Sequence, residues 1–146
     1  MRDTQSVLDA IAYVAWHGHR IRIEEPGRVV VAQPDQAELR NYAGTTHAGA
    51  LYTLAETAAG VVADGIAAPL GGFILLATAT VHYTRRAEGA LEAEARFGPA
   101  ADAPAPAAEF SASGRGTVIV DVVIRDAGGQ SVFEGSFQYA MRRRTR

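Results

Sequence analysis

One ionisable side chain stands in the most apolar stretch of this sequence. Between His47 and Ala63, the residues Ala50, Leu51, Leu54, Ala55, Ala58, Ala59, Val61 and Val62 leave little polar surface, and Glu56 sits among them. An unpaired carboxylate is costly to bury, so such a group keeps its proton to higher pH than usual. A carboxyl with a raised pKa is suited to general acid–base work. The plainer reading is a glutamate that reaches solvent or meets an arginine. His47 opens the same stretch, with Gly44 and Gly49 close by. Small residues at a helix start leave backbone N–H groups open to an anion or a polarised carbonyl, and the helix dipole adds a favourable field. That is the chemistry of an oxyanion site. The same residues also suit simple capping and turn formation.

Other polar residues point to chemistry less strongly. His17 and His19 straddle Gly18, where an imidazole can face the negative end of a helix. With no Cys and no His-x-x-x-His on one helix face, no metal-ligand pattern is visible, and no metal or other cofactor is expected. Gly-x-Ser-x-Gly, phosphate-loop and dinucleotide signatures are also missing. Gly114-Arg115-Gly116 precedes a strand instead of a helix, so it reads as a strand entry.

These residues need elements to position them. Val7, Leu8, Ile11, Val14 and Ala15 recur at three- and four-residue steps, which predicts an amphipathic N-terminal helix within residues 1–18, capped by Asp3 or Thr4 and ended at Gly18. Arg20–Glu25 and Arg28–Ala32 read as strands joined at Pro26-Gly27. Gln33–Thr46 is polar loop, and His47 to about Ala63 is a helix apolar nearly all round, hence buried, with Thr45 or Thr46 as its N-cap. At ~1.5 Å per residue it spans roughly 25 Å.

Four strands follow: Phe73–Arg86, Leu91–Phe97, Thr117–Arg125 and Ser131–Met141, the last two joined by a Gly128-Gly129 turn. Gly98–Ala108 is a Pro/Ala segment without regular structure, with room for a short helix after it, and 142–146 is a basic tail. The order predicts an α+β domain covering 1–146, an antiparallel sheet wrapped round one long central helix: the hotdog arrangement.

The composition narrows the function. The chain has 146 residues, a net charge of −2 and a pI near 6.1, which speaks against binding nucleic acid. No run reaches the ~18 apolar residues that span a bilayer, and no signal peptide opens the chain, so a soluble cytoplasmic protein that does not bind membranes is expected. All the basic residues are Arg.

The stretch from Asn41 to Gly60 resembles the signature of hotdog-fold acyl-CoA thioesterases of the phenylacetic-acid-degradation (PaaI-like) type, a signature shared by uncharacterised hotdog proteins. That pattern places an Asn and a Gly before His-Gly-Gly, and an acidic residue nine positions after the His. Here Asn41 lies six before His47 and Glu56 nine after it. The strand ending Val81-His82-Tyr83-Thr84-Arg85-Arg86 is similar to the family's strand after the helix. Two positions depart from the pattern: Ala48 replaces the first Gly, and Glu56 replaces the commoner Asp.

The resemblance implies that Glu56 is the catalytic carboxylate, acting as general base or as nucleophile. It implies that the Ala48 backbone N–H, with Gly49 beside it, polarises the thioester carbonyl. Asn41 and His47 would orient the thioester or hold the loop, with Gly44 and Tyr83 at the substrate. Thr78 is the candidate for assisting a water, and Arg85, Arg86 or the tail would meet CoA phosphates. It further implies a homodimer or homotetramer with the site at the interface and an acyl-CoA or other acyl thioester as substrate. CoA would enter only as part of that substrate. The alternatives are a non-catalytic hotdog that binds acyl-CoA or fatty acyl chains, and a hotdog dehydratase. Dehydratases carry a Pro-Gly-rich segment after the His, which this chain lacks.

Overall fold

The computed structural model describes residues 3–98 and 105–145. Six antiparallel strands form one sheet: β1 (Arg20–Glu25), β2 (Arg28–Gln33), β3 (Gly72–Tyr83), β4 (Leu91–Phe97), β5 (Arg115–Asp126) and β6 (Ser131–Arg143), in the spatial order β1-β2-β4-β5-β6-β3. The long helix α3 (Ala48–Ala67) lies across the sheet and touches every strand from β2 to β6. This is the hotdog fold.

The alternation of each strand decides which face it gives to α3. Leu91, Ala93 and Ala95 on β4 and Val118, Val120, Val122 and Ile124 on β5 are buried with the helix, as are Phe137, Tyr139 and Met141 on β6. The opposite face carries charge: Glu94 bonds Arg28 at 2.8 Å and Arg96 at 3.2 Å, and Arg125 lies 3.6 Å from its other oxygen. Alanine on α3 lets the helix sit close to the strands, with Ala55, Ala58, Ala59 and Ala63 fully buried.

Several boundaries differ from expectation, each for a local reason. The N-terminal helix is two short ones, α1 (Thr4–Ala10) and α2 (Ala12–Trp16), because Ile11 turns extended between them. Asp3 caps α1, accepting from the Ser6 N–H and hydroxyl. α3 begins later than Thr45 and Thr46 would place it, since His47 is its N-cap and its Nδ1 accepts from the Gly49 N–H at 2.9 Å. It also runs four residues past Ala63. α4 (Pro106–Ser113) takes part of the Pro/Ala segment, of which residues 99–104 lie outside the described residues. Arg142 and Arg143 belong to β6 and not to a solvated tail, and the Arg143 guanidinium lies 5.6 Å from the Phe110 ring centre.

Candidate active site

Glu56 occupies the middle of α3 on the face turned toward α1 and α2. Its neighbours on that face, Thr57, Gly60 and Val61, join Val7 from α1, Ile11 from the break between α1 and α2 and Ile74 from β3 in lining a groove of about 250 Å³. Burial raises the pKa of the Glu56 carboxyl, opposed in part by a hydrogen bond from Tyr139. The Tyr139 hydroxyl donates to Glu56 Oε1 at 3.3 Å and lies 3.2 Å from the Glu56 backbone oxygen. Tyr139 is itself almost wholly buried, and burial followed by the Glu56 charge raises its pKa strongly, so the phenol stays protonated as a donor. Among the described residues no basic group forms an ion pair with Glu56. Of the two plainer readings, the arginine partner does not describe Glu56 and fits Glu94 instead, while Glu56 keeps part of its surface open along the groove.

The start of α3 forms a second cluster. The Asn41 side chain ties its own loop: Oδ1 accepts from the N–H groups of Ala43 at 2.9 Å and Thr45 at 3.1 Å, while Nδ2 donates to Thr45 Oγ1 at 2.9 Å. Asn41 and Thr45 are thus a loop clasp. Gly44, at φ +80°, makes the turn inside that clasp. The Gly49 N–H is taken by His47, which leaves the Ala48 N–H as the donor at the helix end without an acceptor among the described residues. Tyr83 reaches the same place from β3, donating to the Ala48 carbonyl at 3.3 Å. Arg85 and Arg86 are exposed just beyond β3.

The structure thus gathers Asn41, Gly44, His47, Ala48, Gly49 and Tyr83 at the helix start and leaves Glu56 apart from them. Eight residues at ~1.5 Å each separate Ala48 from Glu56 by about 12 Å along the axis. Thr78 joins neither group. The register shifts between Leu76 and Thr78, so that Leu76 and Ala79 pack toward the core while Thr78 is exposed opposite Gln138.

The residue missed in sequence is the one that holds Glu56. Tyr139 lies 83 positions away and sits in the apolar rhythm of β6. The one hint is that a buried tyrosine hydroxyl must find a partner. His19 is buried between Gln33 (Nε2–Oε1 3.0 Å) and Thr57 (Nδ1–Oγ1 3.1 Å), and burial lowers its pKa to about 4, so at neutral pH it is an uncharged bridge. With that pKa, Nε2 donates to Gln33 and Nδ1 accepts from Thr57. No group of three His, Asp or Glu side chains able to hold a metal occurs among the described residues, and no helix among them is long and apolar enough to cross a membrane.

Comparison with known proteins gives this geometry a context. The profile of a family described as "Domain of unknown function (DUF4442)" matches residues 4–141. A Pseudomonas aeruginosa protein of unknown function, named as a "Probable Thioesterase", is 27% identical over 97% of this chain and 96% of its own, with a TM-score of 0.82. The Escherichia coli PaaI protein from the phenylacetic acid degradation operon shares the fold at 19% identity and a TM-score of 0.72, over 97% of this chain and 91% of its own. A hypothetical thioesterase from Streptococcus pneumoniae, solved with coenzyme A, shares it at 21% identity and a TM-score of 0.66, over 86% and 88%. Comparison by sequence with curated proteins finds no match.

Proposed function

We propose that this chain, which belongs to the DUF4442 family, is a thioesterase that hydrolyses an acyl-CoA, with Glu56 as general base. The observation that carries the reading is the Glu56 carboxyl, partly buried against an apolar groove without a cationic partner among the described residues, its pKa raised by burial and one oxygen held by Tyr139. The likeness to a thioesterase-named protein over nearly the whole chain, and the coenzyme A in a protein of the same fold, support thioester chemistry.

In this reaction the ionised Glu56 takes a proton from a water molecule as the water oxygen attacks the thioester carbonyl carbon. The carbonyl oxygen gains the negative charge, and the Ala48 N–H at the positive end of α3 stabilises it. The tetrahedral centre collapses, the C–S bond breaks, and the proton held by Glu56 passes to the leaving sulfur. The products are a carboxylic acid and the free thiol. A base with a pKa lifted toward the working pH suits such a step. Tyr139 acts through Glu56, as a positioning residue.

The ~12 Å between Ala48 and Glu56 is too long for both to act on one carbonyl within a single copy. The helix start of a second copy then completes the site beside Glu56 of the first, which makes the working form a homodimer or a homotetramer of two such pairs. Arg85 and Arg86 beside Tyr83 stand at the end of the site where CoA phosphates would lie.

The test is thiol release from a panel of acyl-CoA thioesters, with wild type beside Glu56→Gln. A thiol reagent reads the product cleanly because the chain contains no Cys. Turnover by wild type and a loss of about a hundredfold or more in the variant is the expected result. Folded wild type that cleaves no thioester, or equal turnover by both proteins, overturns the reading.

A further inference from the structure

We propose that the outer face of β5, β6 and β3 docks on the same face of a second copy of this chain, with the facing strands antiparallel. The inference stands apart from the thioesterase reading, because Glu56 and the start of α3 lie on the other side of the sheet.

The two halves of the outer face differ. On β2 and β4 the charges are satisfied within the chain, with Arg28 and Arg96 both on Glu94. On β5, β6 and β3 the middle of the face is uncharged, and none of its side chains is buried. Cross-strand register sets Ile119 beside Gln138 and Thr78, and Thr117 beside Ala140 and Leu75. Ile119 is 48% exposed and Leu75 58%. Small and branched side chains of this kind suit the packing of one sheet on another, in which the two faces meet about 10 Å apart.

The ends of this patch carry charge of opposite sign. At one end Arg115 and Arg142 lie directly opposite each other on β5 and β6, and like charges so placed repel. Neither has an ion pair among the described residues; the Arg142 side chain donates to the Met141 carbonyl at 2.9 Å. At the other end Glu134 stands between Val123 and His82. Asp121 lies opposite Arg96, whose guanidinium goes to Glu94. Neither carboxylate has an ion pair among the described residues.

Symmetry turns this polarity into a fit. A contact between identical faces has a two-fold axis lying in the plane of contact. An axis across the strands at Gln138 lays β6 antiparallel on the partner's β6, with Ile119 over the partner's Ile119. Arg142 and Glu134 stand four residues either side of Gln138, about 13 Å, so the basic end of each face meets the acidic end of the other. The ~30° between packed sheets displaces the ends by about one strand, within reach of an arginine side chain. An axis along the strands would instead set Arg142 against the partner's Arg142, so charge selects the first arrangement.

Sedimentation equilibrium of the full chain tests this on wild type, Ile119→Lys, Arg142→Glu, Glu134→Arg and the double variant that swaps both charges. The three positions are exposed or half-buried, so each variant should fold, which thermal unfolding checks; if Ile119→Lys does not, the charge variants decide. Ile119→Lys puts two ammonium groups on the axis and should halve the mass of wild type at the same concentration. Each single reversal brings like charges together and should weaken association about tenfold or more. The double variant restores opposite signs and should return to within about threefold of wild type. Wild type should hold four copies where the pairing that completes the Glu56 site also forms, and two where it does not. Monomeric wild type, an unchanged mass for Ile119→Lys, single reversals without effect, or no recovery in the double variant overturns the proposal. None of these results bears on whether the chain cleaves thioesters.

Discussion

Glu56 and Glu94 lie on opposite sides of the same sheet, and each is partly removed from water. Burial raises the pKa of both carboxyls. At Glu94, hydrogen bonds and charge from Arg28 and Arg96 together outweigh it and hold the carboxyl below its ordinary value. At Glu56 only the Tyr139 hydroxyl opposes burial, and the pKa stays raised. The backbone around Glu94 is strand and its outward neighbours are arginines; around Glu56 it is helix and the neighbours are alanine, glycine and valine. Glu56 is also the more deeply set of the two, so deeper burial and the lack of a cationic partner among the described residues act in the same direction there, while two arginines outweigh a slighter burial at Glu94.

Activity should separate the two residues most widely. Glu56→Gln should lose about a hundredfold or more in kcat/KM, whereas Glu94→Gln should stay within about twofold of wild type. The amide oxygen that Glu56→Gln introduces can still accept from Tyr139, so the groove keeps its shape. If Glu94→Gln loses as much as Glu56→Gln, the comparison collapses.

Tyr139→Phe removes the one donor that counteracts burial at Glu56. Roughly a tenfold loss of kcat/KM is expected, as for loss of a hydrogen bond to a charged group. The acid limb of the pH–rate profile should also move to higher pH. A merely structural tyrosine would lower stability without moving that limb.

Stability should distinguish the residues by sign. The folded Glu56 carboxyl holds its proton more tightly than the unfolded chain does, so its contribution is present below the ordinary glutamate range and fades as pH rises through the raised pKa. Glu56→Gln should therefore unfold at a higher temperature than wild type at pH 8, with the gap closing in acid. Glu94 is the reverse: its contribution is present above the ordinary range and is lost as pH falls through the lowered pKa. Glu94→Gln should cost about 1 kcal/mol at neutral pH and little at pH 3. Thermal unfolding of both variants from pH 3 to 8 reads this directly.

Much of this was legible from local pattern. The apolar run from Ala48 to Val62 announces a buried helix, and Glu56 is conspicuous in it. The strand alternation at Leu91–Phe97 and the Pro26-Gly27 turn likewise place β1, β2 and β4 closely. The features that escaped depend on contacts distant in sequence or on small backbone choices. Tyr139 is indistinguishable from a core aromatic until the sheet brings it to Glu56. Ile11 keeps the helical rhythm yet adopts φ −90°, ψ 101° and splits the helix. Thr78 sits in an unbroken β-like run, and only the register shift after Leu76 reveals that it is exposed opposite Gln138. His47 displaced the threonines as N-cap because its imidazole reaches the Gly49 N–H while Thr45 is engaged by Asn41.

The most direct test of Glu56 as a base with a raised pKa is the pH dependence of kcat/KM for thioester cleavage, measured from pH 4 to 9 on wild type and Glu56→Gln. The account predicts a rate that rises with pH through a single apparent pKa above the ~4.3 of an ordinary glutamate and then levels off, a limb absent from the residual rate of the variant. The same limb in Glu56→Gln, or a wild-type limb at the ordinary glutamate value, would contradict it.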